Sequence, residues 1–325
     1  RIQVRNMATE RIQQNRRWWF IIAGVALLFA LSFALRQVNR IASKPVPAAK
    51  AHYQRIISLA PSITETLFAL GLGDAVVGVT RYCDYPKEAK GKQDVGGYFD
   101  PNYEAILGLE PDLVVTMPEH EKTRAYLAER GIRTLTVSHK TIPGILASIQ
   151  TLGEHGGVPE RAAALIADLR RRMARVAEQI PSGTRPKVMI VMGRDVEAKT
   201  MGSIYIAGRG GWYDELLNAA GGENAFLDTM PSPRVSAEGI LKINPEVIVE
   251  MLGDMNGAPP DRQKAMQVWH PLAGVKAVRE GRVHLFLDDF AIIPGPRFVL
   301  TLERLARVLH PEVDWEAAPP PEGDR

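Results

Sequence analysis

The chain has 325 residues, 24% charged and 46% hydrophobic, with 28 Gly, 23 Pro and a single Cys. That composition excludes collagen, a low-complexity tail and a disordered chain, and one cysteine excludes a disulfide scaffold or a cysteine-only zinc cluster. The net charge of +3 conceals an asymmetry. Residues 1–50 carry nine Lys/Arg against one Glu, which leaves 31 basic and 36 acidic residues in the body and argues against a nucleic-acid partner.

In chain order, residues 1–17 read as a short basic segment. Trp18 to Leu35 follows, eighteen residues without a charge. As a helix it spans about 27 Å, enough to cross a hydrocarbon core of about 30 Å. Arg11, Arg16 and Arg17 before it place the amino terminus in the cytoplasm and the body on the extracytoplasmic (periplasmic) side of the membrane. A cleaved signal peptide has a shorter apolar core and a small-residue site soon after it. Here the nearest A-x-A is Ala49-Lys50-Ala51, so residues 18–35 are read as an uncleaved anchor, with a cleaved signal as the alternative. Residues 36–54, rich in Pro, Ala and Lys toward their end, are a semi-rigid spacer.

The body repeats itself. Glu104-Ala-Ile-Leu-Gly-Leu-Glu-Pro-Asp-Leu-Val-Val115 matches Glu238-Gly-Ile-Leu-Lys-Ile-Asn-Pro-Glu-Val-Ile-Val249. Each copy reads as a short helix, a proline stop and a buried strand. Each follows a strand and a helix closed by glycine: Arg55–Leu59 with a helix ending at Gly71, and Lys187–Val191 with a helix ending at Gly221. Strands alternating with helices predict an α/β fold of two similar lobes with parallel sheets, residues 55–158 and 182–313, each burying its own core. Between them, 159–181 is predicted to be a single long helix. Ala162, Leu165, Ile166, Leu169, Met173, Val176 and Ile180 recur at helical spacing, and Glu160 to Ile180 gives about 31 Å of stiff rod. Residues 314–325 read as a disordered tail.

Enzyme signatures are absent: no G-x-S-x-G, H-E-x-x-H or Walker A sequence occurs, and the seven histidines show no ligand spacing. Ligands of open α/β sheets bind outside the carboxyl ends of strands. The loops there carry aromatic and polar residues in both lobes: Arg81, Tyr82, Tyr98 and Phe99 in the first, and Tyr205, Arg209, Trp212, Asp288, Asp289, Phe290 and Arg297 in the second. The rings are candidate stacking surfaces, and the arginines candidate partners for a ligand carboxylate or phosphate. Glu104 and Glu238 occupy equivalent first-turn positions after the N-cap signals Asp100-Pro101 and Ser236. Such placement stabilises a helix dipole, and equally offers one acidic point per lobe to a partner bearing paired arginines.

Ile56-Ile-Ser-Leu-Ala-Pro-Ser-Ile-Thr-Glu65, Val79-Thr-Arg-Tyr-Cys-Asp-Tyr-Pro86 and Val95-Gly-Gly-Tyr-Phe-Asp-Pro-Asn-Tyr-Glu104, with Gly221-Gly-Glu-Asn-Ala-Phe226 and Val235-Ser-Ala-Glu238, resemble the iron-chelate/cobalamin class of ABC-transporter substrate-binding proteins. These are the helical-backbone, class III periplasmic binding proteins, and the resemblance covers residues 55–312. It implies two lobes with a ligand cleft between them and little closure. It also implies a permease with its ATPase as partners, and docking of that permease by Glu104 and Glu238. The cleft aromatics of the cobalamin-binding member fall at Tyr82 and Tyr98. Its second-lobe tryptophan falls at Ser232, which carries no ring, so haem, siderophore and other chelates stay open beside cobalamin. The expected protein is a monomer with no cofactor or metal of its own, and its cargo is a metal chelate or corrinoid. The competing readings are a two-lobed enzyme or metallocluster protein, which requires a nucleophile–base pair or grouped ligands in the cleft, and a membrane-tethered sensor.

Overall fold

The structure is a computed structural model and describes residues 53–183, 185–195, 201–253 and 261–315. The expected cytoplasmic segment, the membrane anchor and nearly all of the spacer lie outside them, as does the tail beyond Trp315. No described helix is long and apolar enough to cross a membrane.

The first lobe runs β1 (Ile56–Ser58), α1 (Pro61–Ala69), β2 (Val76–Val79), β3 (Gln93–Asp94), α2 (Tyr103–Gly108), β4 (Leu113–Thr116), α3 (Glu121–Ala128), β5 (Thr134–Thr136) and α4 (Ile142–His155). Its five strands lie in the order β3-β2-β1-β4-β5, every pairing parallel. Helices cover both faces, so the strands are apolar on both sides and show no polar alternation. Ile56 and Val115 face a core with Ile63, Leu67 and Ile145; Ile57 and Val114 face a smaller one with Ile106 and Leu127.

The bridging helix, α5 (Pro159–Gln179), is 21 residues long and buries Ala162, Ile166, Leu169 and Val176 along one stripe. Pro159 starts it, where its missing N–H costs nothing. Arg172 binds Glu303 through two 2.8 Å hydrogen bonds, donated by Nε and Nη2.

The second lobe continues with β6 (Lys187–Gly193), β7 (Ile204–Ile206), α6 (Trp212–Ala219), β8 (Glu223–Asn224), β9 (Arg234–Val235), α7 (Ala237–Ile243), β10 (Val247–Met251), α8 (Arg262–Gln267), α9 (Lys276–Arg279), β11 (Val283–Phe286) and α10 (Phe298–Leu309). Its strand order is β11-β10-β6-β7-β9, with β8 also on β6. This sheet is mixed, where two parallel sheets were expected: β7 is antiparallel to both β6 and β9. The reason is chain length. Ten residues separate β6 from β7, and a parallel crossover needs a dozen or more.

The internal repeat holds in three dimensions. Its copies form α2 with β4 and α7 with β10, and each of these strands lies beside the first strand of its lobe, β1 or β6. The residue before the shared proline, Glu110 or Asn244, is left-handed in both copies, with φ 44° and 45°. The proline disfavours another helical residue before it, so the helix ends there both times.

Each lobe has a buried cluster of its own, with Ile57, Val114 and Leu127 in the first and Val191, Ile248 and Trp269 in the second, and a larger apolar cluster passes through both lobes. It joins Ile56, Ile63 and Ile149 to Ile166 and Leu169 of α5, then to Leu216, Val249 and Leu302. Ile56 and Val115 of the first sheet and Ile190 and Val249 of the second share this cluster with residues of α4, α5, α6 and α10. Trp315, placed in the tail from sequence, packs on this cluster and donates its indole N–H to the His310 carbonyl at 3.0 Å.

Candidate functional site

The carboxyl ends of β1 to β5 place five loops on one edge of the first sheet. Parallel β6, β10 and β11 do the same in the second. The two edges meet where the loop after β11 touches α1 and the loop after β2. Arg297 of the second lobe donates from Nε and Nη2 to the Glu65 carboxylate, at 3.0 and 2.6 Å. It also donates from Nη1 and Nη2 to Asp289, at 2.9 and 2.6 Å. Its guanidinium carbon stands 3.7 Å over the Tyr85 ring. Pro294-Gly295-Pro296 passes close to α1, and a Cβ on Gly295 would lie 2.9 Å from a Glu65 oxygen. A side chain at this position would displace the Glu65 carboxylate from Arg297.

Charge follows burial here. Glu65 is 3% exposed, and burial raises its carboxyl despite the bonds from Arg297. Burial also opposes the charge of Arg297, but its two carboxylate partners outweigh that and hold it protonated. Asp289 is lowered, its burial outweighed by the same guanidinium.

Tyr98 and Phe99 of the first lobe sit on a hairpin-like turn after β3. Gly96 has φ 98°, and a Cβ there would lie 2.5 Å from the Asn102 amide nitrogen. The turn needs glycine at that point. Phe99 at its tip is 83% exposed, and Tyr98 packs edge-on against it at 4.7 Å. His120 supports Tyr98 from below: its Nδ1 accepts from the Met117 amide, so its Nε2 donates to the Tyr98 carbonyl at 2.8 Å. Burial and the hydrogen-bonded Glu119 carboxylate push the Tyr98 phenol up to about 12. Tyr98 therefore offers a ring and a neutral hydroxyl at physiological pH, not a phenolate.

The other expected site residues are dispersed. Arg81 pairs with Asp100 at 3.6 Å, and Tyr82 is half-buried beside it. Exposed Tyr205 lies in β7 opposite Arg234 and Gly193. The Trp212 ring sits 4.0 Å from Tyr213 and packs on the core. Asp288 binds Arg304 of α10. Half-buried Phe290 accepts a hydrogen bond from Thr301 at its carbonyl, 3.1 Å. Arg209 is drawn toward the opposite end of the sheet, because its partner Glu223, at 3.5 Å, pairs with Lys187, the first residue of β6. The three arginines expected to meet ligand anions thus each hold a protein carboxylate. Glu104 and Glu238 are both exposed in the first turns of α2 and α7. Ser236 caps α7 as expected; α2 is capped by Asn102, not by Asp100-Pro101, whose side chains fall outside the turn.

Three contributors escaped the sequence reading: Glu65, His120 and His139. His139, on the loop after β5, meets the Ser62 hydroxyl at 2.7 Å through Nδ1, while its Nε2 has no polar partner. This is a base beside a hydroxyl, but the two residues are 2% and 4% exposed and no carboxylate orients the ring. No cluster of three or more metal-ligating side chains occurs among the described residues. Burial lowers His139 to about 4, below its ordinary value near 6.5. A histidine kept neutral in the fold contributes stability that is complete above pH 6.5 and is lost as pH falls toward 4. The expected loss is about 3 kcal/mol. His139→Asn should flatten the dependence of the urea midpoint on pH between 6.5 and 4; an unchanged slope would contradict this.

Two α/β lobes with a shared core, a bridging helix and ring-bearing loops along the line where they meet define a two-lobed small-ligand-binding protein. Residues 56–288 match the periplasmic binding protein family, and the chain belongs to that family. It is 33% identical over 289 residues to the vitamin B12-binding protein of Vibrio cholerae, covering 88% of this chain and 97% of that one. It is 31% identical over 268 residues to an uncharacterised ABC-transporter substrate-binding lipoprotein of Bacillus subtilis, covering 81% and 82%. Among solved structures, a periplasmic haem-binding protein from Pseudomonas aeruginosa superposes with a TM-score of 0.69 at 28% identity, covering 81% of this chain and 94% of that one.

Proposed function

We propose that this protein is the extracytoplasmic binding component of an ABC importer. It takes a metal chelate or corrinoid between its lobes and delivers it to the permease and its ATPase, with Glu104 and Glu238 as the docking points. The observation that carries the reading is the exposed ring of Phe99, packed on Tyr98, which His120 supports in turn, on the loop after β3 at the carboxyl-end edge of the first sheet. A large ring held in water by a shaped turn favours a ligand with a broad apolar face. The relatives named for vitamin B12 and haem support a planar macrocyclic cargo. Tyr85 and Tyr205 are further exposed rings for such a surface. Because Arg81 and Arg297 already hold carboxylates, apolar stacking is the main attraction and charge pairing a secondary one. The protein binds and releases its cargo without covalent chemistry.

Absorbance titration and native mass spectrometry with cyanocobalamin, haemin and a ferric hydroxamate test this directly. At least one should bind at one equivalent; no binding of any chelate would overturn the reading. Phe99→Ala removes a ring that packs little in the free protein. It should leave the melting temperature unchanged and weaken the bound chelate about tenfold, the effect of losing about 1.4 kcal/mol of stacking. Undiminished affinity would remove Phe99 from the site.

A further inference from the structure

Glu65 and Arg297 are 232 residues apart in sequence and belong to different lobes, yet they form the most elaborate polar contact across the seam. A second contact mirrors it. Glu215, in the first turn of α6, accepts the Ile142 amide of α4 at 2.5 Å. In each lobe the glutamate lies on the first helix of its sheet and reaches the start of the last helix of the other lobe: Arg297 precedes α10, and Ile142 begins α4. Apolar packing does not fill the seam on the Glu215 side. A groove of about 810 Å³ opens there, walled by α4, α5 and α6.

We propose that Arg297 is a positioning residue. Held by Glu65 on one lobe and Asp289 on the other, it fixes the spacing of the lobes and the plane of the Tyr85 ring where the two sheet edges meet. It thereby governs which ligands fit, without itself binding their anionic groups. All three of its nitrogens already donate to protein carboxylates. The planar guanidinium matches both carboxylates and the tyrosine face at once. A lysine keeps the charge but can reproduce neither the fork nor the stacking.

The affinity arm of the test rests on the ligand-binding reading above; a distance arm does not. Spin labels on Lys122→Cys of α3 and Lys264→Cys of α8, both exposed, report lobe separation, and the one native cysteine, Cys83, is buried. The otherwise unchanged protein should give one narrow distance. Arg297→Met, Arg297→Lys and Glu65→Gln should each broaden or shift it. They should also weaken neutral cyanocobalamin and dianionic haemin by similar factors of about tenfold, so far as the protein binds each. Glu65→Gln and Arg297→Lys keep side-chain size or charge, which guards against a variant that fails to fold. Loss of haemin affinity alone, with the distance unchanged, would make Arg297 an anion hook and overturn the proposal. An unchanged distance with unchanged affinities would overturn it too. If the parent protein binds neither probe, the ligand reading fails, and the distance arm still decides: a narrow distance kept in Arg297→Met rejects the positioning role.

Discussion

The double substitution Glu104→Ala with Glu238→Ala is expected to abolish uptake while leaving ligand affinity intact. Both side chains are exposed, two residues beyond a cap that does not depend on them, since Asn102 and Ser236 accept the Ala105 and Gly239 amides through their own side chains. Removing the carboxylates costs the helix-dipole contribution, about 0.3–1 kcal/mol each, so the fold survives. Neither residue contacts the Tyr85, Tyr98 or Phe99 loops through any described hydrogen bond or ion pair. On the proposed docking to a permease the expected effect is much larger. A close charge pair in a protein interface couples by about 1.5–7 kcal/mol. Losing two such pairs at even 2 kcal/mol each lowers affinity for a permease about a thousandfold. The single variants should fall between the double variant and the parent. Transport of a bound chelate into vesicles carrying the cognate permease and ATPase measures this, with chelate affinity determined on the same preparations. Full transport by the double variant would remove both glutamates from docking; a parallel loss of chelate affinity would assign them to the ligand site instead.

How far such a site is legible depends on whether its signal is local. The repeat was legible because each copy encodes a complete unit, a helix, a left-handed stop before proline and a buried strand, within twelve residues. The bridging helix was legible for the same reason: Ala162, Ile166, Leu169 and Val176 mark one face of a 3.6-residue period. The antiparallel β7 was not, because Ser203 to Ile206 reads equally as an aromatic ligand loop, and its partners lie in β6 and β9. The shared core was hidden too, since a helix stripe says that it is buried and not against which lobe. Glu65 and Arg297 lay in between. Glu65 is the lone charge from Ile56 to Gly73, and Arg297 the lone charge between Asp289 and Glu303. Two solitary opposite charges in apolar stretches are a signal for a buried pair, because neither is stable inside the protein alone. The signal names the residues and not their meeting, which only the topology supplies. The same holds for His120 and His139, whose roles rest on contacts with Tyr98 and Ser62 across the edge of one sheet.

A solitary buried charge in β10 carries the largest expected effect on stability. Glu250 stands alone in the run Val247-Ile-Val-Glu-Met251, and its side chain is 1% exposed. It is fully engaged: Arg194 Nε donates to Oε1 at 2.5 Å and Nη2 to Oε2 at 3.4 Å, and the buried Trp269 indole donates to Oε2 at 2.9 Å. Arg194 also donates to the Ala265 carbonyl at 2.9 Å, so one guanidinium joins the end of β6, the interior of β10 and helix α8. Removing one partner of a buried pair strands the other charge without solvent, which costs about 3–5 kcal/mol. Arg194→Met should therefore lower unfolding free energy by that amount, a large part of the stability of an ordinary domain. Replacing both partners removes the stranded charge, so Arg194→Met with Glu250→Gln should recover most of the loss, and the glutamine oxygen can still accept from Trp269. Urea unfolding read by tryptophan fluorescence measures both variants. If Arg194→Met costs less than about 1 kcal/mol, or the double variant is no more stable than the single, the pair is not holding the strand ends together. Because Arg194 closes β6 at the edge proposed to hold the ligand, the single variant should also weaken chelate binding, and the double variant should restore it in step with stability.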